Sequence, residues 1–378
     1  MQNKFDYNLI DEYQIEVTSY CNAACPQCPR NNFGSGINPY MYLEHLPLSV
    51  LDNAFPAALV KRIRQVFFCG SYGDPIMHPD FLDICRMFRK KNPNIWIYIH
   101  TNAGFRKPHW WQELAQILDG HGKIDFGIDG LSDTNHLYRR NVNYNTAISN
   151  ARAFINAGGK AQWNFIIFKH NEHQIEEARA ISKEFGFESF LPRKTGRFFK
   201  HDTITEMDTW PVKDKFGNHI YDLEVPSKSE HRNKSMLNLS SIKQEYPDIS
   251  EYFSTTEIFC DALMGNKVAI NAEGLVLPCN FFNHNLYDFR FRDPNQLPSC
   301  NHLSFVDGKN QIQEIIDRFG KDKLNIKYAS LEEIYNNPFW EYIINSWKKN
   351  LKNGRIFECA MTCGKKLTKV WDQGGSKR

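Results

Sequence analysis

Short apolar runs alternate with helix-like patterns through the first half of the chain. Runs rich in β-branched and aromatic residues are typical of strands, and they occur at YQIEVT, RQVFFCG, IWIYIHT, KIDFGID, AQWNFIIF and FESFLP. Between them, apolar residues recur at helical spacing in residues 48–62, 78–91, 109–118, 145–157 and 173–185. This alternation predicts a parallel sheet, closed or half closed by its helices, with its chemistry at the carboxyl ends of the strands. Six strands are too few for a complete eight-stranded barrel.

The alternation stops near Gly196. Residues 196–259 are polar and charged, as in PSKSEHRNKSMLNLSS, and loops of this length are usually functional or mobile. A second unit begins at Cys260 with KVAINAEGLVLPC, which predicts a hairpin with its turn at 271–274. SLEEIYNNPFWEYIINSWKKN then predicts an amphipathic helix or pair, with Ser330 as N-cap and Glu333 three residues later. We therefore divide the chain into residues 1–195, a variable connecting segment 196–259, a second domain 260–366 and a disordered tail 367–378.

Composition narrows the partners and the compartment. The 46 Lys and Arg exceed the 43 Asp and Glu by three, which is too little to indicate nucleic acid as a partner. The N-terminus has no basic region followed by an apolar one, and no uninterrupted apolar run could cross a membrane. These features predict a cytoplasmic protein. In that compartment, ten cysteines are expected to serve metals or catalysis more than disulfides.

Three cysteines follow the first predicted strand within eight residues: Cys21, Cys25 and Cys28. This spacing lets a short loop wrap one corner of a four-iron cluster, with one thiolate on each of three irons and the fourth iron open. A structural zinc site needs four ligands, and the next cysteine, Cys69, lies a full strand away. The alternatives are a zinc knuckle completed by a distant residue, or reduced buried thiols.

The spacing of the triad, its place after the first strand and the later strand ends resemble the radical SAM superfamily, from Tyr13 to about Pro192. The resemblance implies a partial (β/α)6 barrel whose open iron binds the amino and carboxylate groups of S-adenosylmethionine (SAM). It also implies that an electron splits SAM to a 5′-deoxyadenosyl radical, which abstracts hydrogen from a substrate. A low-potential electron donor such as a flavodoxin or ferredoxin is the implied partner.

Further matches to this family lie at the ends of the second and third strands. GSYGDP places Ser71, Gly73 and Asp74 like the Gly-Glu-Pro motif of the family, near the methionyl amino group, with Asp in place of Glu. In HTNAG, Asn102 resembles a ribose-contacting position. Each match alone also fits ordinary turn chemistry, and their order after the triad carries the resemblance.

The fourth strand end and the triad itself depart from the family pattern. In GIDG, Gly127 stands where relatives often have Ser, which contacts the ribose. The resemblance therefore implies that Asp129 makes this ribose contact instead. In HLYRRN, either Arg139 or Arg140 matches a position for the methionyl carboxylate, and the register favours Arg139. Gln27 replaces an aromatic residue beside the adenine, so an amide would approach the base without the stacking contact.

A second resemblance covers residues 260–363. Cys260, Gly274 and Cys279 resemble the opening of SPASM and twitch auxiliary domains, and Cys359 and Cys363 fit the close. Four ligands is the twitch count, which implies a second, fully ligated four-iron four-sulfur cluster. The alternative is a four-cysteine zinc site.

The remaining cysteines have no such pattern. Cys300 stands apart in a loop and is expected to be an idle thiol, although exchange with another ligand is possible. Cys69 and Cys85, on a strand and a helix, are expected to be core residues.

The function expected from these features is a radical SAM oxidoreductase or bond-forming enzyme with SAM and two 4Fe-4S clusters. Family frequency and the basic residues Arg193, Lys194 and Arg197 at the barrel mouth favour a peptide or protein side chain as substrate. No leader-peptide recognition domain precedes Cys21, so a separate protein would deliver the peptide, or it would bind the auxiliary domain. The alternatives are dehydrogenation or rearrangement of a small sugar-like or nucleotide substrate, and a non-catalytic iron-sulfur protein for electron transfer or assembly.

Overall fold

The structure is a computed structural model, and it describes residues 4–200, 205–233, 241–242, 244–246, 248–287, 305–306 and 309–365. Its longer strands are β1 Glu12–Ile15, β2 Gln65–Phe68, β3 Trp96–Thr101, β4 Gly122–Gly127, β5 Lys160–Ile167, β6 Ser189–Lys194, β7 Thr209–Lys213, β8 His219–Glu224, β9 Lys267–Ile270 and β10 Val276–Leu277. Cys300 and the predicted tail, residues 367–378, lie outside the described residues. Within the described part of the chain, no helix is long and apolar enough to cross a membrane.

One sheet organises the molecule, in the order β10-β9-β1-β2-β3-β4-β5-β6. Strands β1 to β6 are parallel neighbours in chain order, and each coincides within a few residues with one of the six predicted strands. The carboxyl ends of these six strands therefore meet at one edge. This arrangement confirms the α/β class and the partial barrel of six strands.

Helices cover the outer face of this sheet. They are α1 Leu48–Ala54, α2 Ala57–Arg62, α3 Phe81–Lys91, α4 Pro108–Leu118, α5 Asn135–Tyr138, α6 Tyr144–Asn156 and α7 Ile175–Glu184. The predicted single helix over 48–62 is two helices, because Pro56 has no backbone N–H and starts a new helix instead. Buried rings fix the outer layer: Phe68 of β2 packs on Phe81 and Phe88 of α3.

The second unit extends the barrel sheet. Strand β9 pairs in parallel with the free edge of β1, Ile270 opposite Ile15, and β10 pairs antiparallel with β9. The predicted hairpin is confirmed, and Gly274 adopts a φ of +91°, which favours glycine. The hairpin thus shares backbone hydrogen bonds with the barrel.

The other helices of the second half are α8 Ile249–Thr255, α9 Asp261–Met264, α10 Asn280–Tyr287, α11 Gln311–Phe319, α12 Leu331–Tyr335, α13 Phe339–Ser346 and α14 Phe357–Cys363. The predicted helix pair is α12 and α13, and the capping box of Ser330 and Glu333 is formed in full. The connecting segment contains regular structure that its polar sequence did not predict. Its hairpin β7–β8 packs on the cysteine loop, where Trp210 Nε1 donates to the Pro26 carbonyl at 3.1 Å.

Candidate functional site

The three clustered cysteines lie in a loop at the carboxyl edge of the barrel. Cys25 is buried, whereas Cys21 and Cys28 are half-buried. Two predicted strand-end residues reach their sulfur atoms: Asn102 Nδ2 lies 3.6 Å from Cys21 Sγ, and Arg139 Nη1 lies 3.8 Å from Cys25 Sγ. The fold thus brings the triad together with residues that are about 75 to 120 positions away in sequence.

The thiols of this loop are in surroundings that favour their neutral form. Burial raises the pKa of Cys25 to about 11, although the guanidinium of Arg139 opposes the shift. Burial also raises the pKa of Cys21, and the carboxylate of Asp74 adds to it. Iron binding at these sulfurs would therefore have to displace their protons.

Asp74 ties the second strand end to the third. Its Oδ2 accepts hydrogen bonds from the Asn102 amide at 2.8 Å and from Thr101 Oγ1 at 3.1 Å, and its Oδ1 accepts from the Ile76 amide at 3.2 Å. Burial raises its pKa despite these donors. The shorter Asp, in place of the Glu of the family motif, is thus used to join two strand ends.

Gly73 lies where a side chain cannot be accommodated. A Cβ at this position would lie 1.7 Å from the backbone oxygen of Thr18. The Gly73 amide donates to Glu16 Oε1 at 2.9 Å, and the hydroxyl of Ser71 is hydrogen-bonded to Asn280 and Asn283 of α10. These contacts hold the 70–74 loop against β1 on one side and against the second unit on the other.

Asp129 is buried and forms an ion pair with the half-buried Arg139. Arg139 Nε donates to Asp129 Oδ2 at 2.5 Å, and the Ile166 amide donates to Oδ1 at 2.6 Å. Burial raises the pKa of Asp129, and Arg139 opposes the shift. Both Asp129 oxygens are engaged by protein donors, so its ribose contact stays a prediction. A Cβ on Gly127 would lie 2.5 Å from Arg139 Nη2, which gives the Gly at this position a physical reason.

The alternative arginine points elsewhere. Arg140 Nη1 donates to the backbone oxygens of Gly34 at 2.8 Å and Lys213 at 2.6 Å. Arg140 therefore ties the cysteine loop to hairpin β7–β8. Of the two candidates, Arg139 is the one beside the thiols.

The buried side chain of Gln27 shows whether this loop has polar groups that a bound cofactor could satisfy. Its side chain is 2% exposed, and among the described residues neither its amide oxygen nor its amide nitrogen has a hydrogen-bond partner. In the same part of the chain, the amide nitrogen of Asn22 is also buried without a partner. Buried polar groups in proteins are nearly always hydrogen-bonded. Orphaned groups beside three thiols fit a polar ligand such as SAM bound at this loop.

The other four predicted ligands line one cavity: Cys260, Cys279, Cys359 and Cys363. Cys359 and Cys363 are four residues apart on α14 and so share one helix face. Cys279 directly precedes α10, and Cys260 caps α9, where its Sγ accepts from the Leu263 amide at 3.4 Å. Burial raises the pKa of Cys279 to about 12, and Cys363 adds to the shift.

The arrangement of these four thiols bears on which metal they could hold. Among the residues that the structure describes, no three His, Cys, Asp or Glu side chains are gathered closely enough to hold a metal ion. A zinc site draws four sulfurs to about 2.3 Å from one ion, whereas a four-iron cluster takes one thiolate at each corner. The choice between a cluster and a zinc ion is decided by the metal count predicted in the Discussion.

The interior of the barrel is polar, which the sequence analysis missed. Alternate residues of a strand face opposite sides, and the apolar ones pack on the helices. The inward positions carry Phe67, Cys69, Tyr98, His100, Lys123, Asp125, Gln162, Asn164 and Arg193. Closed eight-stranded barrels instead fill this space with branched apolar residues. The signal was present as period-two polar positions within IYIH, KIDF and QWNF.

Asp125 is the centre of this polar interior. It is 2% exposed, and its Oδ2 accepts from Tyr98 at 2.5 Å and from Asn164 at 2.6 Å, while His100 Nε2 lies 2.9 Å away. Burial disfavours the imidazolium, but the contacts with Asp125 and Cys69 outweigh it and raise the pKa of His100 to about 9. Cys69, expected in the core, is half-buried and contacts this group, whereas Cys85 is fully buried as predicted.

We expect His100 to titrate near pH 9 and to lose most of this shift in Asp125→Asn, because burial then opposes the imidazolium and only the Cys69 contact still favours it. Because the folded-state pKa is raised, the stability that His100 contributes is complete below about pH 6.5 and is lost as the pH rises through 9. NMR titration of iron-free protein with labelled histidine measures this. Asp83→Asn, which alters a surface ion pair with Arg86, is the control. An unshifted His100 in the unmodified protein would contradict the pairing.

The predicted substrate-binding residues occupy different places. Arg193 lies in β6 and its Nε donates to Asn164 Oδ1 at 2.9 Å, so it belongs to the polar interior. Lys194 ends β6, and its backbone oxygen accepts from Asn233 at 3.0 Å. Arg197 Nη1 donates to the backbone oxygen of Gln27 at 3.3 Å and therefore contacts the cysteine loop. Their role toward a substrate stays a prediction.

Comparison with known proteins gives one family match, and it covers most of the barrel. Residues 15–180 match the model of the Radical SAM superfamily. One relative in sequence is the tungsten-containing aldehyde ferredoxin oxidoreductase cofactor-modifying protein of Pyrococcus furiosus. It is 24% identical over 294 residues, which cover 73% of each chain. Another is the GTP 3′,8-cyclase of Campylobacter curvus, which is 21% identical over 290 residues that cover 72% of this chain and 81% of that one.

One of the solved structures that match this chain shares its fold. Native anSMEcpe with bound AdoMet matches with a TM-score of 0.51 at 14% identity, covering 97% of this chain and 92% of that one. Streptococcus suis SuiB bound to S-adenosylmethionine matches with a TM-score of 0.47 at 19% identity, and the 72% of this chain that aligns spans 60% of SuiB. The superfamily implies SAM and a 4Fe-4S cluster as cofactors.

Proposed function

Because residues 15–180 form a radical SAM domain, we propose that this enzyme cleaves SAM reductively and abstracts hydrogen from a substrate, with a second cluster accepting an electron. The observation that carries the proposal is the presence of two separate thiol sets in the fold. Three thiols lie in the loop after β1 beside Asn102 and Arg139, and four line a cavity in the second unit, whose hairpin extends the barrel sheet.

Residues of this chain would bind SAM, contact its adenine and exclude water. When bound, SAM and the cluster of the triad supply a 5′-deoxyadenosyl radical. The strand-end residues Asp74, Asn102 and Arg139 would hold SAM, and Gln27 would meet its adenine with an amide that has no partner among the described residues. Trp210 of hairpin β7–β8 covers the cysteine loop and would keep water from it. A low-potential flavodoxin or ferredoxin is the proposed electron donor.

For the substrate, we propose a peptide or protein side chain that is oxidised to a crosslink or a desaturated product. The polar interior supports a substrate whose reacting part is polar or lies beside a polar group, because Asp125 Oδ1 is buried and has no hydrogen-bond partner among the described residues. Arg193 in the interior and Lys194 at its rim would meet acidic groups. A peptide would arrive by a separate delivery protein or on the second unit.

A second candidate is a small nucleotide or sugar-like alcohol. It is supported by the 21% identity with a protein named GTP 3′,8-cyclase, since that name describes action on a nucleotide. The same interior cations would then meet phosphate groups.

Deuterium transfer distinguishes these substrates. The reconstituted protein is incubated anaerobically with SAM, dithionite and an extract of the source organism grown in heavy water, separated into a peptide and protein fraction and a small-molecule fraction. We expect 5′-deoxyadenosine one mass unit heavier with the first fraction, because its new hydrogen comes from the substrate. A heavier product only with the second fraction would favour the nucleotide or sugar, and none with either would contradict hydrogen abstraction.

A charge-reversed variant makes this experiment specific to the barrel mouth. Arg193→Glu with Lys194→Glu is expected to lower deuterium transfer at least tenfold, because acidic groups of the substrate would be repelled. Lys183→Glu, at the far end of α7, is the matched control. Unchanged transfer in the double variant, with iron content intact, would remove the basic residues from the proposal.

A further inference from the structure

Glu16 is a buried carboxyl directly after β1 that neither the sequence motifs nor the proposed function uses. It is 4% exposed. Its Oε1 accepts from two consecutive amides, Tyr72 at 2.6 Å and Gly73 at 2.9 Å, and its Oε2 accepts from Asn283 Nδ2 at 2.8 Å. One side chain of the barrel therefore joins the 70–74 loop to helix α10 of the second unit.

Asn283 is itself held in one orientation. Its Oδ1 accepts from Asn271 Nδ2 at 3.1 Å in the turn of the β9–β10 hairpin, and its Nδ2 also donates to Ser71 Oγ at 3.1 Å. This set of partners fixes which end of the amide is the oxygen, because only the nitrogen can donate to Glu16 and Ser71. A reversed amide would leave several buried groups without partners.

Helix α10 touches two consecutive residues of the loop and reaches a third through Glu16. Asn280 at its start contacts the Ser71 hydroxyl, and the Tyr72 hydroxyl donates to the carbonyls of Asn283 at 3.2 Å and His284 at 2.7 Å. The third residue, Gly73, is reached through Glu16. Since α10 begins directly after Cys279, the same short helix borders the four-cysteine cavity and the predicted SAM loop.

The loop has little freedom to absorb an error in these contacts. Gly73 packs so closely on the Thr18 backbone that no Cβ fits, and the Asp74 amide donates to the Tyr20 oxygen at 2.9 Å. A change in the Glu16 hydrogen bonds must therefore move the loop or leave buried backbone amides without hydrogen bonds. Either outcome costs free energy in the folded protein.

We infer that Glu16 is a positioning residue for SAM: together with Asn283 it forms the joint through which α10 sets the 70–74 loop. The second unit thereby contributes to SAM binding at a distance from the four cysteines. This inference rests on the proposed function, because it assigns the loop to SAM.

The two sides of the joint can be exchanged as a test. In Glu16→Gln, the new amide nitrogen faces the nitrogen of Asn283, and in Asn283→Asp two carboxylates face each other. The double variant restores one donor opposite one acceptor. We expect each single variant to weaken SAM binding about tenfold and the double variant to recover to within about threefold of the unmodified protein.

The measurements are the dissociation constant of SAM by equilibrium dialysis and the change that SAM causes in the electron paramagnetic resonance of the reduced protein. Burial raises the pKa of Glu16 to about 7 despite the Tyr72 and Gly73 amides, so the measurements are made at pH 8, where the carboxylate prevails. Iron content and melting temperature are recorded for each variant. Glu273→Gln, a half-buried carboxyl of the second unit that accepts from Lys321 instead, is the control.

Two results would overturn the inference. One is a single variant that binds SAM as tightly as the unmodified protein, and the other is a double variant no better than its parents although it folds and holds iron. If the unmodified protein itself fails to bind SAM, the proposed function is wrong and the joint has no SAM to position. A merely structural role would lower the melting temperature without changing the spectrum that SAM induces.

Discussion

Replacing Cys21, Cys25 and Cys28 by alanine is expected to abolish 5′-deoxyadenosine formation and to remove about half of the iron, about four of eight atoms per chain. These thiols are the three that the fold gathers beside Asn102 and Arg139. Without them no cluster can deliver an electron to SAM. Iron analysis of the anaerobically reconstituted protein and chromatography of the reaction products measure both effects.

Cys85→Ala is the matched control for the triad, since this thiol is fully buried in α3. It should retain the full iron content and SAM cleavage. If SAM cleavage survives the triple replacement, the assignment of the triad is wrong. If the unmodified protein holds both clusters but never cleaves SAM, the non-catalytic iron-sulfur alternative is favoured.

The second large effect is expected for Cys359→Ala with Cys363→Ala. This pair supplies one face of α14 to the cavity, so its removal leaves two thiols, too few to retain a cluster. We expect loss of the other half of the iron and of product, while 5′-deoxyadenosine still forms at a reduced rate. Metal analysis and product analysis on the same sample measure these effects.

The same variant decides between the two metals. Loss of about four iron atoms supports the auxiliary cluster, whereas loss of one zinc atom with no iron would assign a four-cysteine zinc site instead. Unchanged metal content would mean that these thiols hold none. Thr362→Ala, whose hydroxyl faces Glu358 at 2.7 Å on the same helix, controls for damage to α14.

Much of the barrel could be predicted because its signals are local. β-branched runs such as IWIYIHT and the helical repeats between them need only neighbouring residues to be recognised. The break at Pro56 was readable in the same way and was overlooked. Hairpin β7–β8 could not be predicted, because Trp210 is buried by its contacts with Pro26 and Phe33 and not by a pattern in its own segment.

The part of the site that depends on local spacing could also be predicted from the sequence. Cys21, Cys25 and Cys28 share one loop, so their spacing alone indicates what they can bind. The polar groups on the inward side of the strands were missed. Asp125 and His100 come into contact only because parallel pairing sets them opposite each other on neighbouring strands. Glu16 was missed as well, since its partners Tyr72, Gly73 and Asn283 are far apart in sequence.

By itself the sequence determined which cysteines group by spacing, roughly where the six barrel strands lie, and which family the first half resembles, because these depend on spacing and on short-range propensity. Only the tertiary structure decided that β9 extends the barrel sheet, that Arg139 and not Arg140 reaches the thiols, and that α10 contacts the 70–74 loop. The reason is physical, because burial and hydrogen bonding depend on how surfaces pack. Polar groups from distant segments form hydrogen bonds with each other only after the chain has folded.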